Sequence, residues 1–161
     1  MNLLLVPARA ADNQWLDQLR RDAYRELFDA TWGAWDEARH RRHFAASIEQ
    51  GNIRIIHLDG HQVGMLQLLE HDSCLTPGDP GTGAIEIAEI QLRPEAQRQG
   101  IGTAVLSHVI RSARERRMDV RLSTGRMNEH ALRLYVRLGF HITQTSESHV
   151  HMALTHTPSS G

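Results

Sequence analysis

The sequence has a single cysteine and no long hydrophobic run, and its charges nearly balance. The lone Cys74 cannot form an internal disulfide, and no spaced partner completes a metal motif around it. A net charge of -1 gives no general attraction to nucleic acid or to an anionic membrane. No segment approaches the ~18 apolar residues of a membrane span. These absences favour a protein of the reducing cytoplasm that binds neither nucleic acid nor membranes.

The order of the periodic segments predicts a mixed α/β fold. Alternating and helical hydrophobic patterns follow one another as βααββ and then βαβαββ, which gives about seven strands and about four helices. Asp59-Gly60 predicts an antiparallel hairpin in the first half, and a parallel crossover is expected in the second. With 161 residues and no internal repeat, we expect a single domain over residues 1–154 and a flexible tail at 155–161.

One predicted strand changes its hydrophobic phase midway. Ile85 and Ile87 fall on one face, whereas Ile90 and Leu92 belong to the other. One extra residue near positions 88–89 would produce this shift, so the pattern predicts a β-bulge there. Bulges re-aim backbone groups and are over-represented next to active sites, which draws attention to this strand.

A glycine-containing stretch joins this strand to the next predicted helix. It reads Gln97-Arg98-Gln99-Gly100-Ile101-Gly102-Thr103. Glycines at a helix start let backbone amides approach a ligand, and the unpaired N–H groups of the first turn favour an anion. Taken alone, the pattern fits a phosphate cradle and a tight packing turn equally well. It is not a P-loop, because no Lys-Ser/Thr follows, and Val105 occupies the third-glycine position of the dinucleotide fingerprint.

Two motifs together resemble the GNAT N-acetyltransferase superfamily. The first is Gln-x-x-Gly-x-Gly at Gln97–Gly102, and the second, Asn-x-x-Ala-x-x-Leu-Tyr-x-x-x-Gly-Phe, matches Asn128–Phe140. Pro94 also takes its family place after the strand. The resemblance is close over residues 85–154, whereas the N-terminal half agrees only in the order of its elements. It implies a GNAT-like fold whose mixed sheet splays at the strands before and after the cofactor-binding helix.

The resemblance also implies that acetyl-CoA is the cosubstrate. Its pyrophosphate would lie on the amides of residues 98–103, and the backbone of the bulged strand would pair with the pantetheine and hold the acetyl carbonyl. The hydroxyl of Tyr135 would point at the sulfur. The implied cofactor-binding residues are Ile90, Leu92, Gln97, Arg98, Gln99, Gly100, Ile101, Gly102, Thr103 and Asn128.

Direct acetyl transfer to an amine requires particular groups. Attack on the thioester builds negative charge on the carbonyl oxygen, which a backbone N–H of the splayed strand would stabilise. Full proton transfer from a phenol of pKa ~10 to a thiol of pKa ~8.5 is uphill by about 2 kcal/mol, so Tyr135 is better described as a hydrogen-bond donor that protonates late. Glu89, directly or through a water, is the first candidate base, and Glu86 is the second.

Purely structural roles also fit these residues. Tyr135 also fits a core tyrosine, and both glutamates also fit solvated carboxylates on a strand face. Three aromatic residues that would border the acceptor fit an acceptor pocket, core packing or a homodimer contact equally well: Tyr24, Trp32 and Trp35. Two histidine pairs lack a third spaced ligand, so we predict no metal: His40 with His43, and His149 with His151.

The sequence does not identify the acceptor. A small amine is favoured, while an amino acid, an antibiotic, a peptide N-terminus or a lysine are further options. Deprotonating an alkylammonium of pKa ~10.4 at pH 7 costs about 4.6 kcal/mol, against about 1 kcal/mol for an α-amine of pKa ~7.7. The rival function is a non-catalytic acyl-CoA-binding or sensing module of the same fold.

Overall fold

The computed structural model describes residues 2–32, 35–71 and 83–156. The α-helices in these residues are α1 (Asn13–Trp32), α2 (Glu37–Gln50), α3 (Ile101–Glu115) and α4 (Glu129–Arg137). The strands are β1 (Leu3–Pro7), β2 (Ile53–Leu58), β3 (His61–His71), β4 (Ala84–Leu92), β5 (Asp119–Gly125), β6 (His141–Thr145) and β7 (His149–Leu154). The predicted mixed α/β fold, with about seven strands and four helices, is confirmed.

The strands form one mixed sheet in the order β1-β2-β3-β4-β5-β7-β6. β1 with β2, β2 with β3, β5 with β7 and β6 with β7 are antiparallel. β4 and β5 are parallel, with α3 as the crossover between them. Their pairs run from Ala84–Asp119 to Ile87–Leu122, while β4 itself continues to Leu92. The predicted parallel crossover after antiparallel hairpins is therefore confirmed.

Turn and cap residues shape the hairpin between β2 and β3 and both ends of α2. Asp59 and Gly60 both take a positive φ, of 50° and 85°, as a tight hairpin between β2 and β3 requires. The Asp36 carboxylate accepts a hydrogen bond from the Arg39 N–H at 3.0 Å and so caps α2. Gly51, with φ 74°, ends the same helix.

The buried face of α2 is more polar than its apolar spacing indicates. The spacing predicts that Ala38, Phe44, Ala45 and Ile48 point inward. Phe44 and Ile48 pack against the core, whereas both alanines are exposed. The fully buried side chains are instead His40 and Ser47. The inward prediction for the two alanines is wrong because specific polar partners, such as the Gln67 side chain that accepts from Ser47, hold the polar face inward.

The chain divides into two compact units, Met1–Gln67 with Glu89–Gln99 and Leu68–Ala88 with Gly100–Gly161. In the first unit the core is built from Leu16, Leu19, Ile53, Ile55 and Met65. In the second unit the buried side chains include Ile85, Ile87, Ile101, Val105, Leu106, Val109, Val120, Leu122 and Met152. The chain passes between the units at three places: at 67–68, within the predicted bulge at 88–89, and within the glycine-containing stretch at 99–100. The single domain over residues 1–154 stays a prediction.

Three sequence predictions fall outside the described residues: those that concern Cys74, the Trp32 side chain and the tail beyond residue 156. In the described ranges, no helix combines the length and apolarity needed to cross a membrane.

Candidate active site

Glu89, the first candidate base, lies on β4 in the first unit and is largely buried. Its Oε1 forms an ion pair with Nη1 of Arg20, and its Oε2 accepts a hydrogen bond from Nε2 of Gln91 at 3.1 Å. Strand alternation explains the second contact, because residues two apart share a face. The side chains of Glu89 and Arg20 are 18% and 14% exposed, so this pair is partly shielded from water. The carboxylate is held in a fixed position by side chains from two elements.

Arg20 lies on the buried side of α1. It stands one helical turn after Leu16, which is part of the core, and its position therefore follows from helical spacing. Its guanidinium lies over the Tyr24 ring, with Cζ 5.5 Å from the ring centroid. This cation–π contact fixes the head group while the aliphatic stem covers apolar surface. The Arg20 guanidinium is therefore held between the Glu89 carboxylate and the Tyr24 ring.

Tyr24 completes this cluster. Its hydroxyl is hydrogen-bonded to the Gln91 side chain, and burial, followed by the charge of Glu89, raises the pKa of Tyr24. Tyr24 is therefore a neutral phenol at physiological pH. Trp35 differs, because its indole N–H donates to Glu37 at 2.9 Å and its ring lies 5.2 Å from that of His40. Among the three aromatic residues predicted to border the acceptor, the side chains of Tyr24 and Trp35 are described. Tyr24 belongs to the Glu89 cluster, whereas Trp35 contacts Glu37 and His40.

A small pocket lies beside the ion pair, and we call it the Arg20–Glu89 pocket. It is lined by Leu16, Arg20, Phe44, Ser47, Ile53, Met65, Glu89 and Gln91. Its cavity volume is about 10 Å³, which is room for about one water molecule. The charged lining residues are Arg20 and Glu89. The Ser47 hydroxyl donates to Gln67 at 3.0 Å. The remaining surface is mostly apolar.

Glu86, the second candidate base, has a different environment in the second unit. Its side chain is 40% exposed, and Oε2 lies 3.0 Å from Nε2 of His71. Glu86 thus has the surroundings of a solvated surface carboxylate.

Gly64 on β3 allows an unusually close approach to β4. A Cβ at this position would stand 2.3 Å from the Gln91 carbonyl oxygen and 2.7 Å from Cδ2 of Leu92. The register of β3 against β2 shifts at the same place, where Ile56 pairs with Gly64 and His57 with Gln62. The bulge predicted at 88–89 stays a prediction.

The start of α3 lies in the second unit and has the features of an anion cradle. Gly100 takes φ 81° at the N-cap, and no side chain caps the helix there. The first-turn N–H groups of an α-helix lack intrahelical acceptors, so an uncapped start leaves them available. A Cβ on Gly100 would meet nothing within 4 Å, which shows open space beside the loop. The residues present therefore fit a bound phosphate group.

Residues 97–99, in the first unit, use their side chains to hold the loop backbone. Gln97 Nε2 donates to the Leu92 carbonyl at 3.1 Å, and Gln99 Nε2 donates to the Glu95 carbonyl at 2.6 Å. Arg98 takes a positive φ of 61° and its side chain is exposed. Both glutamine side chains therefore stabilise the loop by hydrogen bonds to its backbone. The backbone amides are the groups of this segment best suited to a ligand.

Two further predicted site residues lie on α4 and at its N-cap. The Asn128 side chain caps the helix by accepting from the Ala131 N–H at 3.3 Å. Tyr135 is 7% exposed, and its ring meets that of Phe140 edge-on with centroids 5.8 Å apart. Gly139, at φ 102°, turns the chain so that Phe140 can reach back to Tyr135. The ring of Tyr135 is anchored in the core of its unit.

One histidine of each pair has a side-chain partner of its own. His40 is buried with Nε2 2.7 Å from Asp17 Oδ1, and His149 Nδ1 lies 2.8 Å from the Ser148 hydroxyl. Within the described ranges, no three His, Cys, Asp or Glu side chains are grouped to hold a metal ion.

Residues 14–140 match the sequence model of the acetyltransferase (GNAT) family. This chain belongs to the GNAT family. Membership implies acyltransferase activity, and the predicted resemblance is confirmed. A comparison with curated proteins finds no match.

Solved GNAT structures share the fold. PaiA N-acetyltransferase from Thermoplasma acidophilum, in complex with coenzyme A, is 16% identical with a TM-score of 0.69, over 97% of this chain and 100% of that one. Arabidopsis thaliana Naa50, in complex with the bisubstrate analogue CoA-Ac-MVNAL, is 17% identical with a TM-score of 0.66, over 96% and 99%. The histone acetyltransferase HPA2 and related acetyltransferase from Corynebacterium glutamicum is 19% identical with a TM-score of 0.71, over 100% of both chains.

The sequence interpretation did not include two residues near the candidate site, Arg20 and Gly64. Arg20 carried a signal, since it is a charged residue within the apolar stripe of a helix, and such residues are buried only with a partner. Gly64 carried another, since glycine inside a strand pattern often marks a close backbone approach. Neither signal names the partner, and the structure identifies Glu89 and Gln91–Leu92.

Proposed function

We propose that this GNAT protein is an N-acetyltransferase that moves the acetyl group of acetyl-CoA directly to a primary amine. The observation that carries the proposal is the uncapped start of α3 at Gly100, which fits a phosphate group, in a chain whose family consists of acetyltransferases. Coenzyme A in the PaiA structure and the CoA-derived analogue in the Naa50 structure support the same cosubstrate. The acceptor is a small amine in our proposal, and the reducing cytoplasm is the proposed compartment.

The donor acetyl-CoA would be held mainly by backbone. We assign its pyrophosphate to the amides of residues 98–103, and its pantetheine and acetyl carbonyl to the backbone of Ile90 and Leu92. Asn128 would add a contact from the start of α4. Backbone donors of this kind are oriented before the substrate arrives, which favours stabilisation of charge that develops during reaction.

In the proposed step, the amine nitrogen bonds to the thioester carbonyl carbon and the carbon–sulfur bond breaks. Glu89 accepts the proton that the amine loses, directly or through a water, and the thiolate leaves as coenzyme A after protonation. Tyr135 donates a hydrogen bond to the departing sulfur. The ion pair with Arg20 and the hydrogen bond from Gln91 orient Glu89 for this task.

The alternative is a non-catalytic acyl-CoA-binding or sensing module. Such a module needs the α3 cradle and has no use for a shielded carboxylate next to an apolar pocket. Glu89, 18% exposed and fixed by two partners, therefore favours the enzyme over the module.

The experiment is a free-thiol assay with acetyl-CoA and a panel of small amines, amino acids and peptides. We expect thiol release that depends on the amine, and no mass gain of the protein incubated with acetyl-CoA alone. Binding of acetyl-CoA without thiol release from any amine would establish the sensing module instead.

A further inference from the structure

We propose that His43 is a second proton acceptor of the active site, which takes the first proton from the arriving ammonium and leaves Glu89 for the proton lost during attack. This inference rests on the proposed acetyltransferase function and adds a catalytic residue to the same site. It stands on the chemistry of the amine, on the position of His43 along α2 and on the charges around its ring.

An amine acceptor loses two protons in this reaction. Near neutral pH it arrives as an ammonium, whose nitrogen has no lone pair for attack on the thioester until one proton leaves. The nitrogen loses its second proton as the amide forms. One of the two protons ends on the thiol of coenzyme A and the other is released to solvent, so the step balances without a further reactant. A single carboxylate would have to release the first proton before it could take the second, whereas a second base removes that requirement.

An imidazole suits the first transfer better than a carboxylate does. The ordinary pKa of a histidine is ~6.5 and that of a glutamate ~4.3, so an imidazole lies about two units closer to an alkylammonium of pKa ~10.4. Each unit makes the transfer about tenfold less unfavourable. Glu89 is also paired with Arg20, and a proton on the carboxylate would leave the guanidinium, 14% exposed, without its counter-charge. The first proton is therefore better received by a histidine.

His43 lies on the face of α2 that continues toward the Arg20–Glu89 pocket. Ser47 lines that pocket and is buried. Residues four apart share one face of a helix, so His43 stands one turn from the pocket wall, at an exposed position. The other histidine of α2, His40, is buried and its Nε2 is already paired with a carboxylate. Of these two histidines, His43 is the one that an entering ammonium can reach.

The surroundings of His43 keep its imidazole neutral at physiological pH. The charged groups that face it are Arg20 of α1, Arg39 and Arg42 of α2, and Glu89 of β4. Partial burial is the largest cause that lowers the pKa of His43, the three arginine charges act in the same direction, and the Glu89 charge opposes them. A neutral imidazole accepts a proton, and a lowered pKa favours release of that proton to solvent afterwards. The ring therefore returns to its neutral form after each transfer.

The test follows kcat/KM against pH in the free-thiol assay, with the most reactive of propylamine, butylamine and isopentylamine. In the wild-type protein the imidazole accepts from the ammonium, so kcat/KM should stay nearly constant between pH ~7 and ~9 and fall below the pKa of His43. In His43→Gln only the unprotonated amine reacts, so kcat/KM at pH ~7 should be about 10²-fold lower and should rise about tenfold per pH unit. Imidazole added to the buffer should restore part of the lost rate.

Two comparisons separate catalysis from a fold defect. His61→Gln, at an exposed position on β3, is the matched control and should leave both the level and the pH slope of kcat/KM unchanged. L-leucinamide, an α-amine of pKa ~7.7, is largely unprotonated at pH ~8, so His43→Gln should lower its kcat/KM there by less than about threefold. A fold defect would lower the rates for the alkylamine and for leucinamide together.

The outcomes separate the two proposals. If His43→Gln keeps the wild-type pH slope, if both acceptors lose rate equally, or if amides react and no alkylamine does, the His43 proposal is wrong while the acetyltransferase stands. If no acceptor of any class releases thiol, the acetyltransferase proposal is wrong and the His43 proposal is overturned with it.

Discussion

The start of α3 offers backbone groups to a ligand, whereas the Arg20–Glu89 pocket offers side chains. At α3 the useful groups are backbone amides, positioned by a glycine at φ 81° with open space beside it. In the pocket they are side chains from α1, α2, β2, β3 and β4, arranged around an ion pair. A backbone cradle suits an unvarying group such as a phosphate. A side-chain pocket changes with each substitution, so the acceptor side is where specificity resides in our proposal.

The largest expected effect concerns the two carboxylates of β4. Glu89→Gln should lower kcat by about 10²–10⁴-fold, the range for loss of a general base, with acetyl-CoA affinity unchanged. Glu86→Gln, at an exposed position beside His71, is the control and should change kcat less than about twofold. Steady-state kinetics and calorimetric titration of acetyl-CoA measure the two quantities. A larger loss in Glu86→Gln would reassign the base.

Tyr135→Phe should have the next largest effect. It removes a hydroxyl and keeps the ring that packs against Phe140, so the fold should persist. Loss of a hydrogen bond to a developing thiolate predicts a kcat about 10- to 100-fold lower with little change in the Kd of acetyl-CoA. Equal losses in turnover and affinity would mean that the tyrosine is structural.

A smaller effect is expected at the α3 cradle. Gly100→Ala forces a side chain into a left-handed conformation, at about 1–2 kcal/mol, and relaxation of the loop should raise KM for acetyl-CoA by about 5- to 30-fold. KM for the amine should stay constant. Gly60→Ala is a matched control, since Gly60 has φ 85° and a Cβ there also meets nothing within 4 Å. Thermal unfolding should show similar destabilisation in both variants, and a raised KM in both would remove the cradle assignment.

The smallest effect concerns the ion pair between Arg21 of α1 and Glu37 of α2. Hydrogen bonds from Arg21, and then from Trp35, lower the pKa of Glu37 well below its usual range. A carboxyl whose folded pKa is lowered stabilises the protein above its unfolded pKa of ~4.3 and loses that contribution as pH falls toward the folded pKa. Glu37→Gln should therefore lower the unfolding temperature slightly at pH 7, by an amount that shrinks as the pH is lowered below ~4.

The control for this link is Glu129→Gln, which removes an exposed partner of Arg133 at 3.5 Å. It should leave the unfolding temperature nearly unchanged at both pH values, as for most surface ion pairs. A Glu37→Gln difference that is constant with pH would show that the side chain contributes through packing and not through its charge.

The contrast between backbone cradle and side-chain pocket also explains what the sequence could predict. Gly100, Asn128 and Gly139 act through local backbone geometry, so their roles can be inferred from neighbouring residues. The pairing of Arg20 with Glu89 joins positions 69 residues apart, and no local pattern contains that contact. The polar inner face of α2 escaped for the same reason, because the partner of Ser47 lies on β3. Long-range side-chain partners therefore required the structure.

The proposed transfer is tested most directly by product analysis of acetyl-CoA and the amine panel incubated with the protein. Mass spectrometry should find an N-acetylated amine in equal amount to free coenzyme A. Glu89→Gln should form both products far more slowly. If acetyl-CoA raises the unfolding temperature of the protein and yet neither product forms with any amine, the protein is an acyl-CoA-binding module and not an N-acetyltransferase.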